Sequence, residues 1–185
     1  MRTFCTSLRL LLVLTFVTGV AYPLLVWAVG QACFHRQAEG SLVVRGNEVI
    51  GSALLAQNTA GTPRYFQPRP SAAGYATVPS GASNQAWTSA ALAKSIAERR
   101  AAYPAATVVP ADLLTASGSG LDPDLSPAAV RVQVDRVAAA RRLDPTQRAA
   151  LDELVARHTL GGTLTPARIN VLALNLALDA CFPGQ

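Results

Sequence analysis

From Leu10 to Phe34 the chain runs 25 residues without a charge, reading LLLVLTFVTGVAYPLLVWAVGQACF between Arg9 and His35-Arg36. About 20 predominantly apolar residues are needed to cross a hydrocarbon layer of roughly 30 Å. Twelve of the twenty residues Leu10–Val29 are Leu, Val or Phe. At roughly −0.3 to −0.6 kcal/mol each they contribute about −5 kcal/mol toward insertion, which Pro23, Gly19, Thr15 and Thr18 only partly offset. Residues 10–34 are therefore expected to form a transmembrane helix, with residues 1–9 as a short cytoplasmic N-terminus and 35–185 as one external domain.

A cleaved secretory signal would have an apolar core of about 7–15 residues and then small residues. Val13–Val17 followed by Gly19 and Ala21 imitates that pattern, but the apolar run resumes at Leu24 and continues through Val29. Gly30-Gln31-Ala32 is a poor prelude to a lipidated Cys33. The uncleaved anchor is the reading carried forward. Arg2 and Arg9 flank the short side, whereas Arg36 and His35 on the far side are followed by Glu39. The positive-inside tendency then keeps the N-terminus cytoplasmic and places the domain outside the membrane.

Thr15, Thr18, Gly19 and Tyr22 fall at i, i+3, i+4 and i+7 and would share one face of an α-helix. Small and hydroxyl-bearing residues gain most in lipid where another helix comes close. This face is the expected packing stripe for partner helices; the alternative is a lone anchor whose Thr hydroxyls bond back to their own backbone. Pro23 removes a backbone donor and is expected to kink the helix, and Trp27 suits the interfacial belt. The span carries no carboxylate, Lys or His, so it is an anchor rather than a path for ions.

The chain has 16 Lys+Arg and 11 Asp+Glu; without Arg2 and Arg9, 14 basic residues face 11 acidic ones beyond the helix, a net +3. Scattered charge of that size does not suggest nucleic acid, which calls for a clustered stripe. Three cysteines are too few for a disulfide scaffold. Cys33 and Cys181 would pair only if the last helix returned to the membrane surface. His35 and His158 are the only histidines, and no Cys/His spacing has the form of a metal site.

Beyond the anchor an α+β domain is expected, with a small hairpin and about four helices. Two β-branched runs flank Gly46-Asn47, a pair suited to a tight turn, so residues 40–51 read as a hairpin. Pro63–Ser83, with three further prolines and two glycines, reads as a long irregular loop anchored by Tyr65-Phe66. A helix over Thr88–Tyr103 would bury Leu92, Ile96 and Tyr103 and stop at Pro104. Ser126-Pro127 is an N-cap and first-turn pair. The helix it opens would bury Val130, Val134, Val137 and Ala138 and leave Arg131, Asp135, Arg136, Arg141 and Arg142 to other faces. Asp144 and Gln147 are spaced for a capping box, before a stripe of Leu151, Leu154 and Val155. Thr165-Pro166 is expected to open the last helix, with Ile169, Leu172, Ala173, Leu176 and Ala177 toward the core. Asn170, Asn175 and Asp179 break its other side, which suggests that both sides are covered.

Ser117-Gly118-Ser119-Gly120 lacks the Gly-Lys-Ser/Thr end of a phosphate loop, and residues 117–121 do not make Gly-x-Ser-x-Gly. His158, the one distant base, sits at an expected helix C-terminus, where a cationic or polar residue is ordinary. Asp112, Asp122 and Asp124 read as turn caps beside Pro and Gly. No catalytic residue, metal ligand or cofactor contact is assigned.

Several segments carry a family resemblance. They are Leu14-Thr15, Thr18-Gly19 and Tyr22-Pro23-Leu24 in the span, then Gln37-Ala38, Gly40-Ser41-Leu42, Gly51-Ser52 and Gln57. Tyr65-Phe66, Arg69-Pro70-Ser71-Ala72 and Tyr75 follow, with Gln133-Val134 and Arg136-Val137-Ala138 further on. The most specific are Asp112-Leu113-Leu114-Thr115-Ala116-Ser117-Gly118-Ser119-Gly120-Leu121-Asp122-Pro123 and Asn170-Val171-Leu172 with Leu174-Asn175-Leu176-Ala177-Leu178. With these residues the chain resembles, over nearly its full length, the C subunit of the bacterial Kdp-type potassium-transporting P-type ATPase.

That resemblance implies an accessory subunit of the inner membrane with one transmembrane helix and a periplasmic domain. Its partners would be a channel-like A subunit, an ATP-hydrolysing B subunit and a small F peptide, besides membrane lipid. ATP and potassium would act at the level of that complex. The family role is in assembly, and as a catalytic chaperone raising the B subunit's affinity for ATP. Ser117, Gly118, Ser119, Gly120 and Asp122 are the family-motif loop. The sequence departs from the family at Gln85-Ala86-Trp87-Thr88-Ser89-Ala90, where the family usually has Leu-Gly-Pro-Thr-Asn-Pro. The competing class is a stand-alone, membrane-anchored periplasmic binding or hydrolytic protein.

Overall fold

The computed structural model describes residues 2–183. The chain divides into two compact units, Met1–Ser52 and Ala53–Gln185, each taken here by itself.

The first unit is dominated by α1, a helix over Arg2–Cys33 that is long and apolar enough to cross a membrane. It begins earlier than the uncharged run, so Arg2 and Arg9 lie on the helix rather than before it. Between Val17 and Ala21 the ladder takes a π turn, with the Tyr22 N–H reaching Val17 O. Pro23 follows directly, and its ring crowds the carbonyl four residues back while offering no N–H. A local π turn takes up that mismatch. Phe34 leaves the helical region at φ −136° and closes α1 through its N–H to Gly30 O.

A single turn, α2 (His35–Ala38), leads into Gly40 at φ +80° and Ser41 at φ +51°. The hairpin follows as expected: β1 (Leu42–Arg45) pairs antiparallel with β2 (Glu48–Ser52), Val44 opposite Val49 and Arg45 opposite Glu48. Gly46 turns the corner at φ +63°. A bulge lies between Val43 and Val44, and Ser52 Oγ donates to Gly40 O at 2.6 Å.

The second unit contains α3 (Ala90–Ala101), α4 (Ala111–Leu114), β3 (Asp124–Leu125), α5 (Pro127–Arg141), α6 (Pro145–Arg157), β4 (Ile169–Asn170) and α7 (Val171–Cys181). Its core lies among α5, α6 and α7. Val130, Val134 and Val137 meet Leu151, Leu154, Leu174 and Leu178, closed by Phe66, Leu125, Ile169 and Phe182. Both start signals hold: Ser126 Oγ accepts from Ala129 N, and Asp144 and Gln147 form the reciprocal capping box.

Three expectations are corrected. Leu92, Ile96 and Tyr103 are only half-buried; Tyr103 packs against the edge of the core, and α3 meets the short α4. Arg141, expected on one of the other faces, is buried; it is the last of the 15 residues of α5 and lies over the Tyr65 ring beside the Phe182 carbonyl. The last helix starts at Val171 rather than at Thr165-Pro166. Asn170 Oδ1 caps Ala173 N, while Ile169 and Asn170 pair with Leu125 and Asp124 as strand. Its buried face is consequently Val171, Leu174, Asn175 and Leu178, two residues out of step with the expected stripe. In a helix apolar on nearly every side, periodicity does not choose between faces.

Candidate functional site

Two places carry the residues singled out by sequence. On α1, Thr15, Thr18, Gly19 and Tyr22 are all exposed. Thr18 Oγ1 donates to Leu14 O at 2.7 Å, which satisfies the hydroxyl within its own helix. A π turn holds more residues than an α turn. The one at Val17–Ala21 therefore rotates Tyr22 off the line that Thr15 and Thr18 define. A Cβ built on Gly19 meets no atom within 4 Å, so this position is open to whatever packs there.

At the end of α1, Gln31 links two side chains of the following turn: its Oε1 lies 2.7 Å from His35 Nδ1 and its Nε2 donates to Glu39 Oε1 at 2.7 Å. Cys5, Cys33 and Cys181 are free thiols.

The second place is a clamp between the loop after Phe66 and the motif loop after α4. Ser117 is buried, and its N–H donates to Pro70 O at 3.0 Å. Gly120 is buried at φ +73°; a Cβ there would lie 2.9 Å from Gly81 O and 3.1 Å from Ser71 Oγ. Only glycine combines that backbone conformation with so close an approach. Gly118 and Ser119 are exposed, with Ser119 Oγ accepting from Leu121 N. Asp122 Oδ2 meets Arg69 NH1 at 3.0 Å, while its Oδ1 accepts from Asp124 N. Asp112 Oδ2 accepts from Ser126 N at 2.8 Å and so ties α4 to the start of α5. Of the three aspartates expected to cap turns, Asp122 does so; Asp112 instead reaches across to Ser126, and Asp124 lies in β3, where it pairs with Arg168 as Asp122 does with Arg69.

Tyr75 closes the clamp from the loop side. Its hydroxyl donates to Arg69 O at 3.0 Å, and burial raises its pKa against the opposing Arg99 charge. The Ser-Gly-Ser-Gly run is a rigid turn whose buried members, Ser117 and Gly120, fit against neighbouring backbone. His158 stands at the C-cap of α6, its Nδ1 2.9 Å from Leu154 O. No group of three or more His, Cys, Asp or Glu able to hold a metal occurs among the described residues.

Sequence reasoning missed how the long loop is held. Asn175 bonds both backbone groups of Phe66, and Gln133 does the same for Gln67. Arg136 donates to Pro63 O and Tyr65 O, and Arg141 to Arg64 O. The signal in the sequence is a polar amide on an apolar helix face, Asn175, which marks coverage without naming the partner.

Comparison with known proteins agrees with the family features. The model of the family described as KdpC, K+-transporting ATPase c chain, matches residues 4–180. A potassium-transporting ATPase KdpC subunit of Rhodospirillum rubrum is 50% identical over 190 residues, covering 99% of this chain and 98% of its own. That of Sorangium cellulosum is 52% identical with 94% and 95% covered, and that of Serratia proteamaculans 48% with 94% and 96%.

Proposed function

The chain belongs to the KdpC family of K+-transporting ATPase c chains, and on that premise we propose that it is the non-transporting, membrane-anchored subunit that completes and regulates a potassium uptake complex. The observation that carries this reading is the combination of full-length family likeness with a 32-residue helix, largely apolar and with no buried residue. Such a helix in lipid is free to pack against other membrane helices. The partners we assign are the channel-like A subunit, the ATP-hydrolysing B subunit and the F peptide. The charge bias places the N-terminus in the cytoplasm and the second unit in the periplasm.

ATP is hydrolysed in the cytoplasm, whereas this topology leaves only the first few residues of the chain there. Any influence on ATP affinity then travels through differential packing of the helix, tighter in the B-subunit state that holds ATP well. Thr15 and Gly19 are the residues we assign to that contact, since both are open and small.

Co-purification in mild detergent tests the assignment: large membrane partners are expected to accompany the chain, and recovery of the chain alone sinks it. Replacing Thr15 and Gly19 together by Leu should lower ATP affinity of the assembled complex. Unchanged affinity in an intact complex removes the helix route while leaving the subunit assignment standing.

A further inference from the structure

We propose that a cavity of about 540 Å³ between α3 and the loop after Pro70 is a binding site for a small, hydroxyl-bearing carboxylate. Its volume lies within the range of about 300–1,000 Å³ typical of small-molecule sites. Leu92, Ser95 and Arg99 line it from α3 at i, i+3 and i+7, and Ser71, Ser83 and Gln85 line it from the loop. Arg99 is the only charged residue in this lining, and no carboxylate accompanies it.

The state of Arg99 selects the ligand. Its NH1 is committed to Leu114 O at 2.7 Å, and among the described residues it forms no ion pair. Nε and NH2 remain, the edge of the guanidinium that matches the two oxygens of a carboxylate. The other buried or half-buried arginines of this unit are more fully engaged: Arg69, Arg141 and Arg148 pair with aspartates, although Arg69 Nε is buried without a partner, and Arg100 and Arg136 each donate to several backbone carbonyls. Ser71 Oγ already accepts from Ala73 N and Tyr75 N, which leaves its own hydrogen to donate. Ser83, Gln85 and Ser95 supply further donors suited to hydroxyl groups.

A cation is disfavoured, because the site holds a positive charge and no acidic residue. A phosphate dianion calls for more than one positive charge, and neither a second Arg nor a Lys lines the cavity.

Calorimetric titration of the full chain in detergent with glycerate, a hydroxyl-bearing monocarboxylate, tests the site at constant potassium chloride. Glycerate is expected to saturate with a Kd of about 1 mM, and glycerol to give no saturable heat. Arg99→Lys keeps the charge but loses the fork, and should weaken glycerate at least about tenfold. Ser95→Leu fills the cavity without touching the Arg99–Leu114 bond, and should abolish binding with circular dichroism unchanged. No saturable glycerate signal up to about 50 mM overturns the proposal. Glycerate binding undiminished in both variants, or inorganic phosphate binding more tightly than glycerate, overturns it equally.

Discussion

Asn175 on α7 forms two hydrogen bonds with the backbone of Phe66: Oδ1 accepts from the Phe66 N–H at 2.9 Å and Nδ2 donates to the Phe66 carbonyl at 2.9 Å. Gln133 on α5 repeats the arrangement one residue on, accepting from Gln67 N at 2.8 Å and donating to Gln67 O at 3.0 Å. Successive residues of an extended chain present their backbone groups to opposite sides. The segment at Phe66–Gln67 is thus held from both sides by side-chain amides that stand in for neighbouring strands.

Asn175→Leu keeps the volume close but leaves a buried N–H and a carbonyl unsatisfied. A loss of about 3 kcal/mol is expected from the denaturant midpoint of the full chain. A loss under about 1 kcal/mol would mean the loop is held mainly by Phe66 packing.

The motif loop separates two glycines by geometry. Gly120→Ala forces a Cβ to within 2.9 Å of Gly81 O at positive φ, and is expected to cost about 2–3 kcal/mol. Gly118→Ala meets nothing within 4 Å, so thermal unfolding should move by no more than about 0.5 kcal/mol. Equal effects at both positions would contradict the clamp.

Arg141 lies 5.1 Å from the Tyr65 ring centroid and donates to Asp179 Oδ1 at 2.7 Å, while Tyr65 OH donates to Asp179 Oδ2. Arg141→Met removes the guanidinium and leaves Asp179 and the Arg64 carbonyl without it, at an expected cost of about 3–5 kcal/mol. Arg142, next in the chain, is exposed at φ +56° as the helix C-cap. Arg142→Gly should therefore be neutral or stabilise by up to about 1 kcal/mol.

Burial raises the Asp124 carboxyl pKa and nearby Asp122 adds to the rise, while Arg168 and the Asn170 hydrogen bond oppose both. The folded chain then holds a proton that the unfolded chain has released. Stability contributed at this site falls as pH rises from the ordinary carboxylate value through the raised one, and is level above it. Asp124→Asn should flatten that limb of the denaturation-midpoint profile and leave neutral-pH stability unchanged or slightly higher. A clear loss at neutral pH would show that the Arg168 pair outweighs burial.

Local signals in this chain were legible because their causes are local. The Gly46-Asn47 turn, the Ser126-Pro127 start and the Asp144–Gln147 box each involve groups within a few residues, and all three stand in the structure. The start of the last helix is not legible in sequence, because Thr165-Pro166 is as good a start signal as Asn170. Only pairing of Ile169-Asn170 with Asp124-Leu125 decides between them. For Arg141 charge alone argues for solvent; a ring, a carboxylate and backbone carbonyls distant in sequence reverse that argument.

By itself the sequence determined the apolar membrane-length helix and the family to which the chain belongs. Both follow from residue types in order, and neither depends on where distant segments meet. Tertiary structure decided which face of α7 is buried, where Arg141 points, and that Ser117 and Gly120 close a clamp while Gly118 stays open. Those outcomes rest on contacts between residues dozens of positions apart, whose partners are set only once the loop after Phe66 is laid between α5 and α7.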